Sequence, residues 1–377
     1  MVRHFAPSTR AVGVTTREAC LALPAGTCHV LTADRTFDLG GLFDADFAPG
    51  LPVERVSARL AGLFPRHPLP HNLDYALATV STALRLVRRE RFDGVIVHYP
   101  DRYALLAGLV VHALSRLPLI VHMHDYFSEA LPRINPLRAR WWRWVEQTAF
   151  DRAALVVVPS PRFAEEYRRR GCERVFVLPH LATPRVDAAS VRRSARPLGI
   201  AFTGIIYEAN VQAARAFVEA VRGMPDVELR FATPNAQDFL EGVSVGAVSR
   251  RRCLEMQEEA DVLFLPLGIN SIYPLELQSC LPSKLLDYLA AAKPLLAVVP
   301  PGCYVAELVE RYGFGTAVTT TDPAAIRAAV EGLRSRASRA RYAAKALEAC
   351  RDFSPAIHGP RFEAALARAC GLDPAEG

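Results

Sequence analysis

Between residues 281 and 302 the chain reads Leu-Pro-Ser-Lys-Leu-Leu-Asp-Tyr-Leu-Ala-Ala-Ala-Lys-Pro-Leu-Leu-Ala-Val-Val-Pro-Pro-Gly, a helix start run directly into an apolar strand. Pro282 suits the first turn of a helix, where its missing N–H costs nothing. Leu285, Leu286, Leu289 and Ala290 then recur at helical spacing and mark one buried face. Lys293-Pro294 stops the helix, and Leu295–Val299 is a wholly apolar run of the kind used by strands covered on both faces. A proline-capped helix feeding such a strand is common in α/β folds.

The same turn carries chemistry. Ser283 and Lys284 fall where free backbone N–H groups and the positive end of the helix dipole favour an anion. The dipole repels a lysine placed there, so Lys284 is either a solvated side chain on an ordinary amphipathic helix or the partner of a bound phosphate. Asp287, one turn further on, points the same way and can accept from sugar hydroxyls.

Short apolar strands alternate with helices on both sides of this region, which predicts two α/β domains with parallel sheets. In the first, strands are expected at Cys28–Thr32, Gly94–His98, Leu119–His122, Leu155–Pro159 and Val175–Leu178. Helices are expected between them at Leu73–Arg89, Tyr103–Ser115, Leu137–Phe150 and Pro161–Arg170. The polar, arginine-rich stretch Thr183–Pro197 reads as a linker. The second domain restarts with Leu198–Phe202, the turn Thr203-Gly204, a helix over Asn210–Arg222 and a strand at Val227–Phe231. Further strands are expected at Val243–Val248, Val262–Leu265, Leu295–Val299 and Gly315–Thr319, and closing helices at Pro323–Ser335, Ser338–Ala349 and Gly359–Cys370. The expected division is 1–185, 198–358 and a final helix in 359–377 that packs back on the N-terminal domain.

A length of 377 residues, with 51% hydrophobic content, suits about two such domains. The start of the chain lacks the apolar run of a cleavable signal. The longest apolar stretch, Ala104–Leu114, is too short to span a bilayer. The protein is therefore expected in the cytoplasm. Eight cysteines at scattered positions, without a Cys-x-x-Cys pair, read as reduced residues rather than zinc ligands. Asp44-Ala45-Asp46 has the form of a metal-binding Asp-x-Asp but sits in a glycine-containing loop without further ligands, so no metal is expected. The net charge of +6 fits an anionic partner without choosing one. No Gly-x-Gly-x-x-Gly follows an early strand, which argues against a dinucleotide dehydrogenase. The basic residues form no recognisable nucleic-acid module.

The segment from Pro282-Ser283-Lys284 through Asp287-Tyr288 to Lys293-Pro294 resembles the donor-site motif of family-4-like glycosyltransferases of the GT-B fold. Phe202-Thr203-Gly204 with Asn210–Arg222 is similar to the first strand, turn and helix of their C-terminal domain. Val156–Pro161 followed by Val175–His180 is similar to the segment that closes their N-terminal domain. The resemblance implies two Rossmann-like domains facing a cleft, with Lys284 and Ser283 holding the diphosphate of a nucleotide sugar and Asp287 bonding the ribose. Gly204, Asn210 and Asn270 are expected on the donor side. The family often has a glutamate where this chain has Ser279. It also often has an Arg and a Lys after the first C-terminal strand, where this chain reads Gly204-Ile205-Ile206-Tyr207-Glu208-Ala209-Asn210. Phosphate binding is then left more heavily to Lys284 and backbone N–H groups.

His122-Met123-His124-Asp125 ends an expected strand, and relatives carry a His-Asp or His-Glu pair there. His124 and Asp125 are thus the candidate catalytic residues, able to take a proton or orient a hydroxyl. His98 ends the preceding strand, and Gly13 occupies the place of the family's glycine-containing first loop; both are candidates for the acceptor side. Arg138, Arg140, Trp141, Arg143 and Trp144 have the mix of an interfacial helix on anionic lipid. The other reading of that run puts Trp141, Trp144 and Val145 in the core.

The resemblance implies transfer of a sugar from a UDP- or GDP-sugar substrate to a lipid-linked or cell-envelope glycan in a bacterium, with retention, without a metal or other cofactor, at the inner face of the membrane. An epimerase on the same fold and a degenerate transferase acting as a binding protein are the alternatives.

Overall fold

Runs such as Val95-Ile-Val and Leu119-Ile-Val are rich in β-branched residues, bounded by turns, and form strands side by side in a computed structural model of the chain. It describes residues 1–6, 8, 10–34, 47, 49–57, 68–126, 135–187, 197–235 and 237–372. Asp44, Asp46 and residues 188–196 of the expected linker lie outside the described residues. The chain divides into two compact units, residues 1–179 with 355–377, and residues 180–354.

Unit 1 begins with α1 (Ala11–Leu21), β1 (Val30–Ala33), β2 (Val53–Val56), α2 (Pro68–Arg89) and β3 (Val95–Tyr99). It continues with α3 (Arg102–Ser115), β4 (Leu119–Met123), α4 (Pro136–Arg152), β5 (Ala153–Val158), α5 (Pro161–Arg169) and β6 (Val175–Val177). β3, β4, β5 and β6 form a parallel sheet in that order, and β1 pairs parallel with β2. The first three residues join these sheets. Val2 donates to Leu31 on β1 at 3.0 Å, while His98 on β3 donates to the Met1 carbonyl at 3.0 Å. Helix starts follow local chemistry: Asp101 caps α3 by accepting from the Ala104 N–H, and Ser160 caps α5 ahead of Pro161.

Unit 2 contains β7 (Leu198–Thr203), α6 (Val211–Val221), β8 (Val227–Ala232), α7 (Arg250–Glu259), β9 (Val262–Pro266) and α8 (Pro274–Ser279). After these come α9 (Ser283–Ala290), β10 (Leu295–Val298), α10 (Tyr304–Tyr312), β11 (Gly315–Val318), α11 (Pro323–Gly332) and α12 (Arg336–Asp352). Its five strands are all parallel in the order β11-β10-β9-β7-β8. Alternation along the strands feeds two apolar layers. Phe202, Phe217 and Phe264 lie in one, and Leu263, Leu285 and Leu289 in the other. The last helix, α13 (Pro355–Ala369), belongs to unit 1, where Phe362 stacks on Phe176 at 6.0 Å between ring centroids.

Three expectations are corrected. Gly13 lies within α1 rather than in a loop, and a Cβ there would meet the carbonyl oxygens of His4 and Ser8 at 3.1 Å. Val243–Val248 is not a strand. Gly242 and Gly246 at positive φ break its extension and leave one bridge between Ser244 and Phe231. Thr183–Asp187 is not a free linker start, because Arg185 donates its backbone N–H to Ala290 and its side chain to the Asp287 carbonyl, Gln257 and Glu258.

Candidate functional site

In unit 2 the chemistry gathers around the start of α9. Pro282 is the N-cap, with φ −62° and ψ 132°, and Ser283 begins the helix, one residue later than the sequence suggests. Lys284 is half-buried and lies across the turn that follows β7. A Cβ on Gly204 would fall 2.0 Å from Lys284 Cε and 3.0 Å from its Nζ. Gly204 itself sits at φ +140°. The glycine is therefore required twice, once by its backbone angle and once by the lysine stem packed on it. The Lys284 Nζ stands 5.6 Å from the centroid of the Phe202 ring. Burial lowers the pKa of this amine, against the opposing pull of the Asp287 carboxylate. An amine so placed gains from any anion that joins it.

Asp287, one turn along α9, does not stand alone. Arg250 Nη1 and Nη2 donate to its two carboxylate oxygens at 2.6 and 2.7 Å. Each oxygen retains a second lone pair, so a ribose hydroxyl would share Asp287 with Arg250. Arg250 opens α7 directly after Ser249, whose side chain caps the helix. Behind this pair, Gln257 Nε2 donates to Thr203 Oγ1 at 2.8 Å and the Thr203 N–H donates to Tyr288 Oη at 3.2 Å. The base of the site is thus tied to the end of β7. Burial lowers the pKa of His180 to about 4, against the opposing pull of the Leu281 backbone.

Other expected donor residues are placed differently. Asn210 is buried, and its amide is used within its own loop, accepting from the Tyr207 N–H at 2.9 Å and donating to the Ile205 carbonyl at 3.0 Å. It shapes the Gly204 turn rather than reaching outward. Asn270 is exposed beyond β9, with its backbone N–H on Gln212. Ser279 is buried and donates to the Leu275 carbonyl at 2.6 Å, so it closes α8. Arg250 was not legible in the sequence, since its partner lies in another element.

In unit 1, His98 on β3 stands opposite His122 on β4 in the parallel register, and His124 follows two residues later. The three rings converge at the carboxyl ends of these strands. His98 Nδ1 is 3.4 Å from His124 Nε2 and 3.1 Å from Thr16 Oγ1. The ring centroids of His122 and His124 are 4.2 Å apart. Burial, the nearby chain-start amine and His124 hold the His98 pKa well below the usual histidine range. Asp125 is half-buried at the end of this run, while Gly13 is used in packing α1.

Helix α4 separates its tryptophans. Trp142 is buried against Tyr103, whereas Trp141 and Trp144 are 49% and 56% exposed with centroids 4.9 Å apart. Exposed Leu137 completes an apolar stripe at helical spacing, flanked by exposed Arg138, Arg140 and Arg143. The core positions are Trp142 and Val145, so the reading that buries Trp141 and Trp144 is overturned. Among the described residues no helix is long and apolar enough to cross a membrane.

Residues 10–180 match the family described as the glycosyl transferase 4-like domain. No curated protein matches the chain. Among solved structures, HepE from Anabaena in complex with UDP and glucose is similar with a TM-score of 0.68 at 14% identity, over 97% of this chain and 98% of that one. Sucrose-phosphate synthase from Thermosynechococcus elongatus is similar with a TM-score of 0.65 at 15% identity, over 93% and 90% of the two chains. The trehalose-6-phosphate synthase OtsA is similar with a TM-score of 0.65 at 12% identity, over 97% and 98%.

Proposed function

We propose that this chain is a GT-B glycosyltransferase, on the match of residues 10–180 to the glycosyl transferase 4-like domain, and that unit 2 binds a nucleoside diphosphate sugar at the start of α9. The observation that carries this reading is Lys284 laid on the Gly204 turn beside the first turn of a helix. Ser283, Lys284 and the helix-start N–H groups hold the diphosphate. Asp287, fixed by Arg250, accepts from the ribose hydroxyls. As the glycosidic bond to the diphosphate breaks, negative charge grows on the leaving oxygen, and the Lys284 ammonium stabilises it without a cation at the diphosphate. The UDP-glucose complex of HepE supports a uridine donor, with a GDP-sugar as the alternative base.

In this reading unit 1 takes the acceptor. His124 orients a sugar hydroxyl and Asp125 serves as the nearby carboxylate, and the transfer retains the anomeric configuration, as the family resemblance implies. The exposed stripe on α4 favours an acceptor carried in an anionic membrane, such as a lipid-linked glycan. Replacing Trp141 and Trp144 together by alanine should lower co-sedimentation with phosphatidylglycerol vesicles by about tenfold or more. Equal binding by the variant and the parent protein would remove the membrane from the proposal.

The donor reading is tested by thermal shift with a panel of nucleoside diphosphates. One of them should stabilise the protein by about 2–3 kcal/mol near a hundredfold excess over its Kd. Lys284→Ala should abolish that shift and lower transfer by about a hundredfold or more. Stabilisation by none of the panel, or an unchanged shift in Lys284→Ala, overturns it.

A further inference from the structure

We propose that His98, His122 and His124 form a site for a divalent transition-metal ion, zinc(II) before others, in unit 1. The site is built by the sheet itself. Parallel pairing sets His98 and His122 side by side on neighbouring strands. His124, at the bend one residue past β4, turns its ring back beside that of His122, with the centroids 4.2 Å apart. One ligand nitrogen from each ring lies within 4.8 Å of the other two. The His98 Nδ1 to His124 Nε2 separation of 3.4 Å is already close to the tetrahedral edge of about 3.3 Å that Zn–N bonds of roughly 2.05 Å require.

The surroundings suit such an ion. The three residues are 5%, 2% and 9% exposed, so little water competes for the ring nitrogens. A neutral imidazole has one lone pair to give a cation. A cation held by all three rings replaces the 3.4 Å contact between His98 Nδ1 and His124 Nε2 with three bonds. Imidazole is a ligand for zinc, copper, iron and nickel, whereas magnesium and calcium take oxygen. Three histidines leave a fourth position for water or a substrate oxygen, and Thr16 Oγ1 lies 3.1 Å from His98 Nδ1. The site lies in unit 1 and does not rest on the donor reading of unit 2.

The test uses full-length protein, stripped with a chelator and titrated with zinc(II) against a chromophoric competitor. One ion per chain should bind, and His98→Ala or His122→Ala should weaken binding by about a hundredfold or more. Thermal melts check that the variants fold. X-ray absorption at the zinc edge of the parent protein does not depend on them, and should give a shell containing three imidazole nitrogens at about 2.0–2.1 Å. Absence of stoichiometric binding, a sulfur-containing shell, or parent-like affinity in both folded variants overturns the assignment.

Discussion

At the scale of single residues, the proposed donor site turns on the fit of Lys284 against Gly204. Replacing Gly204 by alanine asks for a Cβ where Lys284 Cε already lies, at a backbone angle unfavourable to any side chain. Gly204→Ala should lower stability by about 1–3 kcal/mol, and it should raise the donor KM because the lysine is pushed out of place. Denaturant midpoints and donor kinetics check both; an unchanged midpoint with an unchanged KM refutes this view of the turn. Lys284 drew notice in the sequence because a cation in the first turn of a helix opposes the dipole and so invites a reason. Arg250 did not, since its bidentate pairing with Asp287 joins two elements that no local pattern connects. Asn210 was misplaced for the opposite reason: a short amide side chain often bonds its own loop, and here it does.

At the scale of elements, α4 shows how a helix can present tryptophan outward while burying acid. Glu146 shares the inward face with Val145 and Ala149, and among the described residues its Oε1 has no hydrogen-bond partner. Burial raises its pKa to about 7, with Arg170 pulling the other way. The unfolded chain releases this proton near the ordinary glutamate value, while the folded chain keeps it to about pH 7. Stability therefore falls as pH rises from about 4.5 to 7, then levels off. Glu146→Gln should remove that decline and gain up to about 3 kcal/mol at pH 8. Chemical denaturation of both proteins at pH 5 and pH 8 measures it, and parallel pH profiles would count against a buried acid. Most helices and parallel strands were legible, because apolar runs and caps are local. The pairing of Met1–Arg3 between β1 and β3 was not, since three residues carry no period. The glycine-containing start of α1 read as a loop because Gly13 is there for close packing rather than for a turn.

At the scale of the whole molecule, two α/β units with parallel sheets followed from the alternation of strands and helices. Their boundaries did not, because composition marks the polar stretch after Thr183, whereas packing decides at 179 and 180, where the chain passes to unit 2. The last helix shows the same gap between local pattern and tertiary choice. Unit 2 is one continuous stretch, but unit 1 is completed by α13, where a Cβ on Gly359 would come within 2.3 Å of the Ala22 carbonyl oxygen. A ribosome releasing this chain therefore finishes its first unit last: the surface around Ala22 and Phe176 waits uncovered until every residue of unit 2 has been made. During that interval the α13 sequence of a neighbouring chain can meet the same surface, so exchange of final helices between chains is the misassembly that this order of synthesis would favour.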